Sequence, residues 1–220
     1  IIFDGEERVV QNIDLIKGWN WISYNVASEL FSDPASVLSK AIFAGDEQVK
    51  DETNGIYHVD CSSFVGFLLQ KSSLQAYTAL SIDKGHLRPR AQNFYDFFAS
   101  LNENEQKEGW QGIKTVQSLQ TFDIIAWKYD ARLGKKDTGH VVIVYEKPIK
   151  EADGRYRVRV LDASKGTHAN DSRAQKSEGG IGTGVMWFRV DEEGRPFGVY
   201  WSDRSEGMSR HQISMGRVLP

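Results

Sequence analysis

Hydrophobic residues recur at helical spacing in two segments of the chain. In the first, the i, i+3, i+4, i+7, i+8 pattern of a helix with one buried face is formed by Cys61, Phe64, Val65, Leu68 and Leu69. The second follows Pro89, and the same spacing is formed by Phe94, Phe97, Phe98 and Leu101. The pattern predicts two amphipathic helices, each with one face in the core.

Beyond about residue 109 the pattern changes from helical to extended. Runs of β-branched and aromatic residues predict strands at 122–127, 140–145, 156–162, 185–190, 197–201 and 212–218. Apolar side chains at Tyr156, Val158 and Val160 alternate with arginines at 155, 157 and 159, and Asp162 continues the apolar positions with period two. Helices followed by strands predict an α+β fold in which N-terminal helices pack on an antiparallel sheet.

Three further segments are assigned from their composition and from turn and capping residues: 1–26, the start of a helix at Ser32, and 179–184. Residues 1–26 predict a β-rich extension or small module, and residues 27–220 are expected to form the main domain. Ser32-Asp33-Pro34 predicts the start of a helix that continues to about Phe43. The glycine-rich segment 179–184 lacks the spacing of a phosphate-binding loop and does not lead into a helix. We expect it to be a flexible connection within a long polar loop over 164–183.

Composition excludes several classes of protein. The 220 residues are 40% hydrophobic and 26% charged, which is ordinary for a globular domain. The net charge of −3 does not favour nucleic-acid binding. No apolar run reaches the roughly 20 residues that a membrane-spanning helix needs. Cys/His metal spacing is absent from the sequence, so we expect no metal and no cofactor.

Cys61 is the only cysteine, and its position is typical of a nucleophile. Asp60 is well placed to cap the predicted helix by accepting a hydrogen bond from the backbone N–H of Ser62 or Ser63. The first turn of a helix stabilises a thiolate, and its N–H groups can also donate to an oxyanion on a substrate. The alternative is a structural cysteine, buried as a small hydrophobic residue.

A thiolate hydrolase also needs an imidazole and a group that orients it. His140 begins a run, Gly139-His140-Val141-Val142-Ile143-Val144, that is apolar on both faces and therefore predicts a central strand. Asp162 continues the inward face of the next strand, where a carboxylate is costly unless it is paired. If the two strands are antiparallel neighbours, the side chains lie side by side. The alternatives are a structural histidine and a turn capped by Asp162.

Three motifs resemble those of the NlpC family of cell-wall cysteine peptidases, and they follow one another in the order of that family. They are Asp60-Cys61-Ser62-Ser63-Phe64-Val65, Phe122-Asp123-Ile124-Ile125-Ala126-Trp127 and Gly139-His140-Val141-Val142-Ile143-Val144. The resemblance covers roughly residues 55–165. The chain departs from the family pattern at three positions. Ser63 and Phe122 stand where glycine is usual, and Asp162 stands where His, Asn or Gln is common.

The resemblance implies a papain-like core that hydrolyses amide bonds in peptidoglycan stem peptides through a thioester. The expected bond joins D-glutamate to diaminopimelate or lysine. It also implies a secreted, periplasmic or cell-envelope location in a bacterium. Cys61, His140 and Asp162 would be catalytic, while Asp60, Ser62 and Tyr57 would support the site.

Residues in the variable loops are expected to face the substrate. The candidates are Arg88, Arg90, His168, Asp171 and Arg173, and the alternative for all of them is a solvated surface. Three other functions stay open at this point: a CHAP-type amidase on the same core, an acyltransferase on that core, and a non-catalytic cell-wall binding module.

Overall fold

The computed structural model describes residues 41–43, 49–51, 56–130, 138–173 and 179–220. The predicted β-rich module at 1–26 and the predicted helix start at Ser32 lie outside these residues. No helix within the described ranges is both long enough and apolar enough to cross a membrane.

From Cys61 onward the helices precede the strands of the large sheet, as predicted, but three short strands come before them. The helices are α1 (Cys61–Ser72), α2 (Leu74–Thr78) and α3 (Ala91–Ser100), with a short 3-10 helix at Val116–Ser118. The first three strands are β1 (Ala41–Phe43), β2 (Val49–Asp51) and β3 (Ile56–Val59). The remaining strands are β4 (Gln106–Lys107), β5 (Trp110–Ile113), β6 (Ile124–Lys128), β7 (Gly139–Val144), β8 (Ile149–Lys150), β9 (Tyr156–Ser164), β10 (Gly180–Val190), β11 (Pro196–Tyr200), β12 (Ser209–Arg210) and β13 (Gln212–Val218).

The large sheet is antiparallel throughout and has the strand order β12-β11-β10-β9-β7-β6-β13-β5-β4, with β8 paired to β9. Although β11 and β13 are five steps apart in this order, they come into contact. The backbone N–H of His211 donates to the carbonyl of Phe197 at 3.3 Å. The sheet therefore curls on itself. The prediction of a mixed fold with a large antiparallel sheet is confirmed.

The sheet separates two hydrophobic cores, and β7 contributes to both. Val141 and Ile143 pack with α1 and α3 on the outer face of the sheet. Val142 and Val144 pack inside the curl with residues of β9 and β10. Burying a side chain of this size contributes about 1.5–3 kcal/mol, so β7 is held firmly from both sides. His140 is the second residue of this strand.

A smaller sheet has the order β1-β3-β2, and β3 leads directly into the start of α1. The prediction of a helix to about Phe43 is wrong at its C-terminal end. Ala41–Phe43 forms β1, which pairs in parallel with β3. A short apolar run has no periodicity that distinguishes a strand from a helix, and here a neighbouring strand satisfies the backbone.

The prediction of a flexible glycine-rich connection at 179–184 is also wrong, because β10 begins at Gly180 and continues to Val190. The glycines provide space for side chains that pack on the strand. A Cβ at Gly182 would lie 2.6 Å from Cγ of Arg173, and one at Gly184 would lie 2.6 Å from Cβ of His168. The predicted loop over 164–183 is correspondingly shorter.

Candidate active site

Asp60 organises the start of α1. Its Oδ1 accepts hydrogen bonds from the backbone N–H of Ser63 at 2.8 Å and from Oγ of Ser62 at 3.1 Å. Arg88 contacts both Ser62 and Asp60. Its Nη1 donates to Oγ of Ser62 at 2.7 Å, and its Nη2 forms a short ion pair with Oδ2 of Asp60. The predicted helix cap is confirmed for Ser63, and Arg88 fixes the cap from outside the helix.

Cys61 is the first residue of α1 and its side chain is nearly buried, since the residue is 7% exposed. The capping hydrogen bond satisfies the N–H of Ser63, and the N–H of Phe64 donates to the carbonyl of Asp60. The N–H groups of Cys61 and Ser62 have no partner within the helix. The sulfur therefore lies beside two backbone donors at the positive end of the helix dipole.

His140 is held rigidly at the start of β7. Gly139 has φ 148° and packs so closely against β6 that a Cβ would lie 1.9 Å from the carbonyl oxygen of Trp127. The imidazole of His140 lies between two indoles, with its centroid 5.2 Å from the ring of Trp127 and 5.1 Å from that of Trp201. These contacts leave the ring little freedom to rotate.

His140 and Asp162 are hydrogen-bonded, with 2.6 Å between Nε2 and Oδ2. Strands β7 and β9 are antiparallel neighbours, as the prediction required. Ile143 is paired with Leu161, so His140 and Asp162 are diagonal neighbours on the same face. Asp162 lies inside β9 and is completely buried. The alternative of a turn at this position is wrong.

The charges of the site are strongly coupled. Burial by itself lowers the pKa of His140, but the charge of Cys61 and the hydrogen bonds to Asp162 and Cys61 outweigh burial and raise this pKa to about 10. Burial would raise the pKa of Asp162, but His168, Arg173 and His140 hold it well below its usual range. Since Nε2 of His140 faces Asp162, Nδ1 is the ring nitrogen that can face Cys61.

Three residues that were expected to contact substrate are buried behind Asp162, so that prediction is wrong. His168, Asp171 and Arg173 are 5%, 9% and 0% exposed. Nε2 of His168 lies 3.1 Å from Oδ2 of Asp162, and Nη2 of Arg173 lies 2.9 Å from its Oδ1. The Arg173 contact lacks hydrogen-bond alignment, so Oδ1 has no hydrogen-bond donor among the described residues.

The carboxylate of Asp171 locks the buried loop. It accepts from the backbone N–H of His168 at 2.6 Å and from the backbone N–H, Nε and Nη2 of Arg173 at 2.7–2.9 Å. Arg173 also donates to Oγ of Ser164 at 2.7 Å and to the carbonyl of Gly180 at 3.0 Å. Buried charges are tolerated when they are paired and hydrogen-bonded in this way.

The other candidates contact α1 or the segment that leads into α3. Arg88 is half-buried and is engaged with Asp60. Arg90 pairs with Asp83 at 2.8 Å, and its backbone N–H is capped by Asn93. Tyr57 lies on β3 and is 8% exposed, with its ring 6.1 Å from that of Phe67 on α1. Tyr57 therefore packs against the helix that carries Cys61.

The sequence reasoning missed the two tryptophans that enclose His140. Trp201 directly follows β11, and its ring lies 4.3 Å from that of His168. Its carbonyl accepts from Nδ1 of His168 at 3.0 Å. Trp127 ends the second family motif and is paired with His140 across β6 and β7, whereas Trp201 lies in no motif and reaches the site through the curl of the sheet. Gly139 was the detectable signal, since a glycine directly before a buried strand indicates close backbone approach.

Among the described residues, no group of three or more His, Cys, Asp or Glu side chains is arranged to hold a metal ion. Family models, curated protein sequences and solved structures were each compared with the chain, and none of them matches it.

Proposed function

We propose that this protein is a papain-like cysteine hydrolase that cleaves amide bonds in peptidoglycan stem peptides. The observation that carries the proposal is that His140 is coupled electrostatically to Cys61 and is hydrogen-bonded to Asp162. The sulfur lies at the start of a helix, the imidazole begins a strand buried on both faces, and the carboxylate lies inside the adjacent strand. A structural cysteine has no need of a buried imidazole paired with a carboxylate.

The reaction follows from these positions. The thiolate of Cys61 attacks the amide carbonyl carbon, and the carbonyl π electrons move onto oxygen. The N–H groups of Cys61 and Ser62 donate to this oxyanion. When the C–N bond breaks, the imidazolium of His140 gives its Nδ1 proton to the departing nitrogen, and an acyl thioester with a free amine results.

Hydrolysis of the thioester reverses the role of the imidazole. His140, now neutral, takes a proton from water as that water attacks the acyl carbon. The C–S bond breaks, and the carboxylic acid leaves while the Cys61 thiolate and the His140 imidazolium are restored. Asp162 keeps Nε2 of His140 protonated in both steps, so the proton moves only at Nδ1.

The order of the three motifs supports the choice of substrate. Motifs around Cys61, Asp123 and His140 resemble those of the NlpC peptidases, which act on peptidoglycan stem peptides. On this basis we assign the D-glutamyl bond to diaminopimelate or lysine as the target, and the cell envelope or its exterior as the location.

Incubation with purified peptidoglycan tests the proposal. The wild-type protein should release new free amines, whereas Cys61→Ala and His140→Gln should release none. His86→Gln is the matched control, because His86 is exposed and lies outside the site, and its release should equal that of the wild type.

Mass spectrometry of the released fragments identifies the bond. Cleavage within the stem peptide supports the proposed endopeptidase, whereas release of the whole stem peptide from the glycan would indicate an amidase instead. Binding to peptidoglycan without amine release by the wild type would contradict the proposal and indicate a non-catalytic module.

A further inference from the structure

His168 has a hydrogen-bond acceptor at each of its ring nitrogens. Nδ1 lies 3.0 Å from the backbone carbonyl oxygen of Trp201, and Nε2 lies 3.1 Å from Oδ2 of Asp162. A carbonyl oxygen only accepts, so Nδ1 must carry a proton. A carboxylate also only accepts, so Nε2 must carry one too unless Asp162 itself is protonated.

The surroundings of Asp162 argue against its protonation. His140 donates to Oδ2 from 2.6 Å, and the guanidinium of Arg173 lies 2.9 Å from Oδ1. A proton on either oxygen would face a positively charged or donating group. Asp162 is therefore ionised, and His168 is an imidazolium whose side chain has no exposed surface.

The charges around this loop balance only when His168 is protonated. The fully enclosed groups next to it are Asp162, Asp171 and Arg173, and with a neutral His168 they would sum to one negative charge. An imidazolium brings the sum to zero. The Cys61 thiolate and the His140 imidazolium add one charge of each sign. A buried set with no net charge avoids the large cost of an uncompensated ion.

We propose that His168 is a protonated positioning residue that clamps Asp162 and sets how tightly His140 holds its proton. Both imidazoles share Oδ2 of Asp162, so the negative charge of the carboxylate is divided between them. His140 is thereby oriented without being held so strongly in its charged form that it cannot protonate a departing amine. This role rests on the proposed hydrolase function, but the protonation state of His168 does not.

The first experiment measures that protonation state directly. In wild-type protein labelled with ¹⁵N-histidine, the resonances of His168 should show an N–H at both ring nitrogens from pH 6 to pH 8. A spectrum with one unprotonated ring nitrogen in this range would overturn the proposal. The measurement needs no turnover, so it gives a clear answer even if peptidoglycan is not the substrate.

The second experiment measures how His168 affects the ionisation of Cys61 and His140. It follows the rate of Cys61 alkylation by iodoacetamide as a function of pH. His168→Gln removes the charge but keeps a donor, and without a nearby positive charge every neighbouring group holds its proton more tightly. Both inflections of the profile should move to higher pH, by roughly one unit. His168→Lys keeps the charge and should restore the wild-type inflections.

Ser164→Ala is the matched control, since it removes a hydrogen bond to Arg173 from the same network without changing any charge. Its inflections should coincide with those of the wild type. A His168→Gln profile that loses amplitude while both inflections stay in place would show a merely structural role. It would overturn the proposal that His168 sets how tightly His140 holds its proton. If His168→Gln does not fold, the labelled wild-type protein still decides the protonation state.

Discussion

Nε2 of His140 lies 2.6 Å from Oδ2 of Asp162, although the two residues are diagonal and not directly opposite across β7 and β9. The diagonal arrangement leaves room for His168 to reach the same oxygen from the loop that follows β9. Asp162 is therefore the centre of the charged network, and the state of Cys61 depends on it through His140.

Replacement of Asp162 by Asn should impair both reactivity and stability. The amide removes the negative charge that supports the His140 imidazolium, so the pKa of His140 should fall and alkylation of Cys61 at pH 6 should slow at least about tenfold. Arg173 would lose a buried counter-charge, and the free energy of unfolding should fall by about 3–5 kcal/mol. Iodoacetamide kinetics and urea unfolding measure the two effects.

Asp96→Asn is the control for this substitution. It removes the same charge from a more exposed ion pair, in which Asp96 contacts Lys128 at 2.7 Å. Exposed pairs contribute little to stability, so the urea midpoint and the alkylation rate should stay at the wild-type values. Equal effects of the two substitutions would contradict the central place of Asp162.

Replacement of Cys61 by Ala should lower the pKa of His140 from its value of about 10. The charge of Cys61 is the largest of the effects that raise this pKa, so its removal leaves burial opposed only by Asp162. Titration of the His140 ring resonances by NMR measures the change. A pKa that remains at about 10 in Cys61→Ala would show that the sulfur and the imidazole are not coupled.

Stability at acid pH should report the ionisation of Asp162. Its folded pKa is far below the ordinary 3.8, so its contribution is fully present above that pH. As the pH falls below 3.8, the unfolded chain takes up a proton that the folded protein does not, and up to about 1.4 kcal/mol is lost per pH unit.

The gap in unfolding free energy between wild type and Asp162→Asn should therefore narrow as the pH falls from 4 towards 2.5. Urea titrations at a series of pH values measure this gap. A gap that stays constant over the range would mean that Asp162 is not held in its charged form.

Replacement of Gly184 by Ala should disturb the network through packing alone. The added methyl group would lie 2.6 Å from Cβ of His168, which cannot move without displacing the loop. Overpacking of this kind costs about 1–3 kcal/mol, and the alkylation rate of Cys61 should fall with the displaced His168. Gly207→Ala, where a Cβ meets no atom within 4 Å, should change neither quantity.

Local patterns predicted much of the described fold. The helices α1 and α3 lie where the 3.6-residue spacing places them, and β6, β7, β9, β10, β11 and β13 overlap the six predicted strands. These elements bury one or both faces, so their apolar residues recur in the sequence with the period of the helix or strand. The interpretation failed at β1, where three residues are too few to show a period.

The site was predictable only as far as its residues follow such patterns. The prediction of Cys61 rested on the cap at Asp60, and that of His140 on the start of an apolar strand. The prediction of Asp162 rested on the period-two alternation in the first part of β9. His168 and Arg173 were interpreted as substrate-facing because a polar loop usually lies on the surface. Their burial depends on Gly182 and Gly184, and no local pattern relates these glycines to a loop that packs on them.

Phe122 departs from the NlpC motif pattern, and its backbone conformation and packing show what this departure involves physically. The NlpC resemblance places glycine at this position, and Phe122 has φ 74°, in the left-handed region that favours glycine. The side chain packs against the outer core, and this contact offsets part of the backbone cost. The turn into β6 therefore combines a left-handed backbone with a side chain that reaches the core.

If Cys61 is an activated thiolate, iodoacetamide should alkylate it rapidly at pH 6, and the rate of this alkylation decides whether it is one. Because the chain has a single cysteine, the label reports on Cys61 alone. We expect a rate well above that of N-acetylcysteine under the same conditions, and a loss of this excess in His140→Gln. A wild-type rate no higher than that of the free thiol would contradict it.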